Sequence, residues 1–316
     1  MTINAAKVVA RNSISLIGAE LAARIVSFTV AVLLIRYLGS VELGKYSFII
    51  TYVGLFGFAI DLGVGQLVIR DVSRDKSIAP KYLGNFLLLQ SILSAAMLLL
   101  LILSINLAGY PSLVKQAVYI AGLGVVIASF ATPFAAMASA FEKMHFNALV
   151  AIFCATLNSL LTLAVIFLQK GLLSLVWVFL LNHLLRMMIF GWLCTRYCTR
   201  PQFGIDFSLW KYLLTSTIPF ALIMILGILF NKIDVIMLSK MKGDAAVGWY
   251  SAAYKFIDVL IIIPVSINGA IFPLLSRQFV TSRDRLESTL RKSLKYQADV
   301  GLPIAVGTTL LADKFI

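Results

Sequence analysis

The side chains in this sequence that are best able to do chemistry are charged ones that lie inside apolar segments. Glu20 and Arg24 lie within the apolar run 12–35, which is long enough to cross a bilayer. A charge at the centre of a bilayer costs at least about 2.5–3.5 kcal/mol, so it usually faces a protein interior or a water-filled cavity. Glu20 precedes Arg24 by four residues, which puts both on one helix face. The pair is expected to lock helix packing as an ion pair, to contact a substrate or ion in a cavity, or to do both.

A carboxylate also lies in the second apolar run, 46–69. Asp61 opens the sequence Asp61-Leu62-Gly63-Val64-Gly65, whose glycines allow close helix contact or a bend in the span. Asp61 is predicted to bind a proton or a cation, or to cap a local kink.

The sixth apolar run, 172–194, carries Asn182, His183 and Arg186 near its centre. His183 and Arg186 are three residues apart and share a helix face. Histidine can titrate near neutral pH, whereas arginine keeps its charge. The pair is predicted to form a cationic lining for an anionic group. A buried histidine that is hydrogen-bonded to a neighbouring helix is the alternative.

Two later runs carry further charge pairs. Lys232 and Asp234 are two residues apart, so they do not face each other, whereas Lys255 and Asp258 share a face. Lys255 is expected to line a central vestibule with Arg24, or to extend towards the membrane surface instead. The candidate substrate-binding residues are therefore Arg24, Arg186 and Lys255. The candidate ion-coupling or cavity-lining residues are Glu20, Asp61, His183, Asp234 and Asp258.

Motifs of soluble enzymes are absent from the sequence. It contains no Walker A loop, no histidines at zinc-binding spacing, no nucleophile elbow and no D-x-x-D acidic cluster. The odd number of cysteines, Cys154, Cys194 and Cys198, argues against a disulfide framework. We therefore expect no catalytic residue, metal or cofactor. An intramembrane enzyme that depends on Glu20, Asp61 or His183 is the alternative.

Membrane-spanning helices must position these side chains. The 316 residues are 60% hydrophobic and 13% charged, against about 45–50% and about 25% in soluble domains. Apolar runs of about 20 residues each predict nine spans, at 12–35, 46–69, 82–106, 114–138, 147–168, 172–194, 213–238, 246–271 and 298–316. The net charge of +13 lies mostly in the connecting segments, so it points to anionic lipid rather than nucleic acid.

The distribution of positive charge predicts the orientation. One set of alternate segments carries Lys7, Arg11, Arg70, Arg74, Lys76, Lys81, Lys143, Arg196, Arg200, Lys211, Arg277, Arg283, Arg285, Arg291, Lys292 and Lys295. The other set carries only Arg36, Lys45, Lys115, Lys170, Lys240 and Lys242. The positive-inside rule places the richer set and the amino terminus in the cytoplasm. Within that set, residues 276–297 have leucines at every fourth position and are predicted to form an amphipathic helix on the cytoplasmic leaflet or a plain solvated connector.

A short motif occurs twice. Residues 39–47 and 243–251 both read G-x-x-x-x-G-x-Y-S, an offset of 204 residues (243 − 39). Each copy follows one predicted span and opens the next on the same side of the membrane, so spans 1 and 7 correspond, as do spans 2 and 8. Six helices separate the partners, which predicts two six-helix lobes related in parallel, a common plan for secondary transporters.

The repeat also predicts the division of the chain. Residues 1–200 are expected to form the first lobe with spans 1–6, and residues 201–316 to begin a second lobe with spans 7–9. The fold class predicted is an all-α polytopic membrane protein with two lobes around a central cavity, the second lobe being incomplete in this chain.

The assembled motifs resemble the polysaccharide-type flippases of the multidrug/oligosaccharidyl-lipid/polysaccharide exporter superfamily, over nearly the whole chain. The resemblance rests on Arg36-Tyr37-Leu38-Gly39, Glu42-Leu43-Gly44-Lys45-Tyr46, Asp61-Leu62-Gly63, Arg70, Ser73-Arg74, Ile233-Asp234, Val247-Gly248-Trp249-Tyr250, Ala253 and Lys255-Phe256. It implies movement of undecaprenyl-pyrophosphate-linked oligosaccharides to the outer leaflet of the cytoplasmic membrane, with a polysaccharide polymerase as a possible partner. The products are surface polysaccharides such as O-antigen, a part of lipopolysaccharide.

Two other functions stay open. A drug or cation antiporter of the same superfamily would favour an acidic, aromatic cavity, so Arg24 argues against it. A non-transporting membrane assembly protein, or a fragment, is the other hypothesis, because the chain ends within predicted span 9.

Overall fold

A computed structural model describes the backbone of residues 3–315, except 262–263, 265–266, 269–270, 272–273, 276–277 and 280–281. Side chains are described for residues 25–310, apart from those gaps and residues 58–59, 61, 219–220, 223–224, 228, 259 and 284. The described residues are almost entirely helical. The helices are α1 (Ile3–Asp61), α2 (Val64–Arg74), α3 (Ala79–Leu107), α4 (Ser112–Ala140), α5 (Met144–Phe167), α6 (Leu172–Tyr197), α7 (Phe207–Lys242), α8 (Asp244–Leu260) and α9 (Arg283–Phe315), with a 3-10 turn at Lys76–Ile78.

Four of the predicted spans agree closely with single helices. Helices α3, α4, α5 and α6 begin and end within one helical turn of the runs predicted for spans 3–6. The described residues contain five helical segments that are long and apolar enough to cross a membrane, namely Ile25–Gly57, Lys76–Leu107, Ser112–Ala140, Met144–Phe167 and Leu172–Tyr197. The chain is therefore an all-α, multi-pass membrane protein.

Helix α1 contains the first two predicted spans, which meet at a backbone break at Gly39. Gly39 has φ 66° and ψ 179°, a conformation that is essentially restricted to glycine. The predicted turn after span 1 is thus present as a sharp change of backbone conformation at the first glycine of the motif.

The predicted second span, 46–69, is not continuous, which corrects the sequence-based boundary. Helix α1 ends at Asp61, and α2 begins at Val64. Leu62 and Gly63 between them have φ values of 46° and 79°. Two successive left-handed residues cannot continue a right-handed helix, so the run bends, as the glycines allow.

The carboxyl-terminal elements differ from the prediction in extent. Helix α8 is described to Leu260, and the rest of predicted span 8 lies partly outside the described residues. The predicted surface helix and ninth span are joined in one helix, α9. The basic stretch from Arg283 to Lys295 is rich in helix-forming residues without a turn signal, so the helix runs through it. Within α9, Arg291 Nη2 lies 2.7 Å from Glu287 Oε1, one helical turn away.

The chain divides into two compact units, Met1–Gly248 and Trp249–Ile316. In the first unit, α7 packs with the preceding helices, and the core forms two main clusters. One cluster joins α1, α3, α4 and α6 and includes Phe48, Ile49, Val53, Met97 and Leu101. The other joins α2, α3, α4, α6 and α7 and includes Val68, Leu83, Phe86, Met137 and Leu213. The predicted lobe boundary near residue 200 stays a prediction.

Contacts between loops define two ends of the first unit. At one end, the Tyr37 hydroxyl donates to the Lys170 carbonyl at 2.9 Å, and Lys240 donates to the Ala108 carbonyl. At the other end, Lys81 Nζ lies 2.6 Å from Asp206 Oδ2. Alternate connecting segments therefore gather at opposite ends, as a series of membrane crossings requires.

Candidate functional site

A cavity lies beside the middle of helices α5 and α6, against α1. Its volume is about 360 Å³, and it is lined by Ser27, Ala151, Cys154, Ala155, Asn158, Phe179, Asn182, His183 and Arg186. This volume falls within the range of about 300–1,000 Å³ that is usual for small-molecule sites. The cavity contains the polar residues that the sequence places near the centre of span 6.

Hydrogen bonds hold the cavity walls together. Asn182 Nδ2 donates to the Cys154 carbonyl at 2.7 Å, which ties α6 to α5. The hydroxyl oxygens of Ser27 and Ser159 lie 3.5 Å apart, which brings α1 to α5. Interhelical bonds of this kind stabilise packing in lipid, where polar groups have no water as an alternative partner. Asn182 therefore helps to hold the wall of the cavity together.

The His183 ring is positioned by aromatic contact. Its centroid lies 4.2 Å from that of Phe179, at an interplanar angle of 37°. Phe179 in turn packs so closely on Gly124 that a Cβ atom there would lie 3.0 Å from Phe179 Cε1. His183 Nδ1 is buried without a hydrogen-bond partner among the described residues. A buried polar atom in this condition is rare in folded proteins.

Arg186 carries the charge of the cavity. Its guanidinium carbon lies 5.8 Å from the centroid of the Phe190 ring, a distance that permits a cation–π interaction. No acidic residue is among the described residues that line this cavity. Within the described lining, this guanidinium therefore favours an anionic group, and its planar set of donors fits phosphate oxygens.

The other predicted site residues are described separately, since Lys255 and Asp258 belong to the second compact unit. Lys255 Nζ lies 3.7 Å from Asp258 Oδ2 in α8, and both side chains are about half exposed, at 53% and 54%. Asp234 in α7 is half-buried, and its carboxylate accepts a hydrogen bond from the Val235 backbone at 2.8 Å. The side chains of Glu20, Arg24 and Asp61 lie outside the described residues. Among the predicted residues whose side chains are described in the first unit, the structure brings His183 and Arg186 together in this cavity.

Two polar lining residues were missed by the sequence-based selection. Asn158 stands at the centre of predicted span 5, where a polar amide in an apolar run is a detectable signal. Ser27 is small and follows the charged pair in span 1, and nothing in its spacing distinguishes it from other helix serines. Among the described residues, no group of three or more His, Cys, Asp or Glu side chains is placed to hold a metal ion.

Comparison with known families gives one extensive match. Residues 9–279 match the family described as "Polysaccharide biosynthesis protein". No curated protein sequence matches the chain.

Comparison with solved structures shows the fold. An inward-facing multidrug resistance MATE family transporter of the MOP superfamily is similar with a TM-score of 0.69 and 18% identity, over 92% of this chain and 70% of that one. An outward-facing structure of such a transporter has a TM-score of 0.63 and 14% identity, over 95% and 70%. A MOP superfamily transporter from Pyrococcus furiosus, described as having a binding pocket of reverse polarity, has a TM-score of 0.55 and 14% identity, over 95% and 70%. The chain has the fold of the MATE transporters.

Proposed function

Because the chain belongs to the polysaccharide biosynthesis protein family, we propose that it moves lipid-linked oligosaccharide units, carried on undecaprenyl pyrophosphate, across the cytoplasmic membrane. The units would then enter surface polysaccharide, such as O-antigen. Family and fold together support transport across a membrane, and the identity of the cargo is the proposed part.

The observation that carries this proposal is the charge of the cavity. Arg186 lines it without an acidic partner among the described lining residues, and His183 Nδ1 and Asn158 add polar groups. Pyrophosphate and sugars cannot cross hydrocarbon unaided, because unpaired polar groups are costly there. A guanidinium stabilises the phosphate oxygens, while the amide and imidazole can bond sugar hydroxyls. The lipid tail stays in the bilayer.

Arg24 extends this proposal along α1. It precedes Ser27, which lines the cavity, by three residues in the same helix. Residues at this spacing share a helix face. We therefore propose Arg24 as a second phosphate-binding residue and Glu20 as its neighbour on that face.

The remaining predicted residues keep proposed roles. Lys255 is proposed to contact substrate elsewhere on the pathway, with Asp258 as its ion-pair partner. His183, Asp61 and Asp234 are proposed to line the pathway or to couple transport to an ion. The amino terminus is proposed to lie in the cytoplasm, and a polysaccharide polymerase is the proposed protein partner. No catalytic step is proposed.

A drug or cation antiporter is the second candidate, since two of the similar structures are multidrug resistance transporters. A cationic substrate requires a negative or neutral site, and a cavity charged by Arg186 opposes it. The Pyrococcus furiosus transporter, which shares the fold, is described as having a binding pocket of reverse polarity. That description supports a change of substrate charge within this architecture.

Complementation tests the proposed function. The gene is placed in strains that lack their own polysaccharide flippase, and wild type is compared with Arg186→Ala and Arg186→Lys at equal membrane abundance. Charge-assisted hydrogen bonds contribute about 1.5–3 kcal/mol, so we expect Arg186→Ala to lower the rate of surface polysaccharide export by about tenfold or more. Arg186→Lys should retain more activity.

Arg196→Ala is the matched control, because Arg196 is an exposed arginine of the same helix outside the cavity. It should export like wild type. Full rescue by Arg186→Ala would exclude the cavity as the substrate site. Failure of wild type in every substrate-matched host would contradict the cargo, and drug efflux would then be measured.

A further inference from the structure

The first six residues of the two copies of the repeated motif, 39–44 and 243–248, pack directly against each other within the first compact unit. The second glycine of the first copy, Gly44, lies against the backbone of Asp244. The second glycine of the other copy, Gly248, lies against the backbone of Ser40. A Cβ atom built on Gly44 would be 1.7 Å from the Asp244 carbonyl oxygen, and one built on Gly248 would be 1.8 Å from the Ser40 carbonyl oxygen.

This contact is symmetric in the repeat. Ser40 and Asp244 are equivalent positions, as are Gly44 and Gly248, because each pair is separated by the motif offset of 204 residues (244 − 40 and 248 − 44). Each glycine therefore meets the residue that follows the first glycine of the other copy. Reciprocal pairing of this kind is characteristic of a two-fold interface. Here the interface is formed within one chain.

The first glycines of the two copies also match in conformation. Gly39 has φ 66° and ψ 179°, and Gly243 has φ 80° and ψ −178°. Only glycine adopts this region readily. The sequence repeat is therefore a structural repeat as well, in which one glycine turns the chain and the next allows the backbones to meet.

The two ends of α7 are attached differently. At its start, Asp206 pairs with Lys81 at 2.6 Å, and the Tyr212 hydroxyl donates to Asp71 Oδ2 at 3.0 Å. Near its other end, the attachment includes the glycine contact, the Lys240 bond to Ala108 and a hydroxyl pair between Tyr110 and Ser239 at 3.2 Å. The Lys240 ammonium also lies 4.2 Å from the centroid of the Tyr110 ring. Contacts of glycine CH groups with carbonyl oxygens are individually weak. Among the bonds named here, only the start of α7 has an ion pair between acidic and basic side chains, that of Asp206 with Lys81.

We propose that these paired segments, residues 39–44 and 243–248, form a glycine clasp that closes one end of the transport pathway and opens in each cycle. The proposal rests on the proposed transport function, because a pathway that alternates needs a closure at each end. Backbones that meet through glycine close tightly, since no side chain holds them apart at the points of contact.

Alanine at either glycine tests the clasp. The added methyl group would lie far inside contact distance of a backbone carbonyl, so the two segments must separate. A single cysteine at Ser27 in the cavity, with the natural cysteines replaced by serine, reports opening through its rate of reaction with a membrane-impermeant thiol reagent added from the clasp side. Gly44→Ala and Gly248→Ala should each raise this rate by about tenfold or more, corresponding to a shift of about 1.4 kcal/mol.

Gly54→Ala in α1 and Gly227→Ala in α7 are matched controls, because both glycines face open space. They should leave the labelling rate unchanged. A clasp variant that labels like these controls at normal membrane abundance overturns the proposal. The labelling needs no substrate, so it separates failure of the clasp from failure of the proposed cargo.

A second measurement avoids the glycines, in case their variants do not fold. Cysteines replace Tyr110 and Ser239, whose hydroxyls meet beside the clasp, and a short bifunctional thiol reagent joins them. Transport should stop when the pair is joined by a cleavable reagent and return after reduction. Transport that continues through the cross-linked protein would show that this end does not open.

Discussion

Among single residues, Arg186 shows how a charged side chain is tolerated within a membrane-spanning helix. It faces a cavity and lies over the Phe190 ring at 5.8 Å, and no described lining residue offers it a carboxylate. With respect to the described lining residues, its charge is therefore available to a ligand or to water. A lysine at this position would keep the charge but lose the paired donors that fit a phosphate.

Asp206 shows a second use of charge, outside the membrane-spanning segments. Its carboxylate accepts from Lys81 Nζ and from the backbone amides of Ser208 and Leu209, which caps the start of α7. The hydrogen bond from Lys81, followed by those from Ser208 and Leu209, holds the pKa of Asp206 well below its usual range. The ionised form is thus the one that stabilises this end of α7.

We expect Asp206→Asn to lower the thermal unfolding midpoint of the purified protein in detergent at neutral pH. A depressed pKa in the folded state contributes stability above the ordinary carboxyl pKa of about 3.9, and that contribution is lost as the pH falls below it. The difference between wild type and variant should therefore shrink below about pH 4.

The control is Asp299→Asn, at an exposed position of α9, which should leave the midpoint unchanged. A difference for Asp206→Asn that grows towards acidic pH would contradict the assigned role of the ionised carboxylate.

At the scale of the elements, the points at which helices are interrupted matter as much as the helices themselves. Gly39 and Gly243 turn the chain at equivalent points, and Leu62 and Gly63 interrupt the second apolar run directly after Asp61. Interrupted helices leave backbone groups unpaired, and in transporters they are common near binding sites. The interruption supports the proposed role of Asp61, whose side chain lies outside the described residues.

Gly63→Ala tests the interruption. A left-handed conformation costs a non-glycine residue about 1–2 kcal/mol, so the variant should lose about that much unfolding free energy. Thermal or denaturant unfolding in detergent measures the change.

Gly54→Ala provides the comparison within α1, since it lies in regular helix with open space around it and alanine favours helix by about 0.5–1 kcal/mol. Equal stability of the two variants would show that Gly63 does not require its positive φ.

At the scale of the whole molecule, the loops of the first unit collect at two ends, and the clasp lies at the end that contains Lys170 and Ala108. The predicted orientation places this end outside the cytoplasm, because the opposite end carries most of the lysine and arginine. The orientation of the protein decides which end of the transport pathway faces the cytoplasm.

Cysteine labelling in intact cells tests this orientation. Single cysteines replace Ser112 and Lys170 at the clasp end, and Ser77 and Gly204 at the other end, all at exposed positions. We expect an impermeant reagent to label the first two in intact cells and the second two only after lysis.

The inverse pattern would reverse the proposed orientation. Labelling of one position from each end in intact cells would contradict the alternation of crossings itself.

The sequence by itself determined the helices of spans 3–6, the repeat, and the shared face of His183 and Arg186. These features depend on apolar length and helical spacing, which are local properties of the chain. The tertiary structure decided that Ser27 and Asn158 complete the cavity and that Gly44 meets Asp244. Helical spacing specifies which residues share a face. It does not specify which helix packs against that face, because that depends on contacts between residues far apart in sequence.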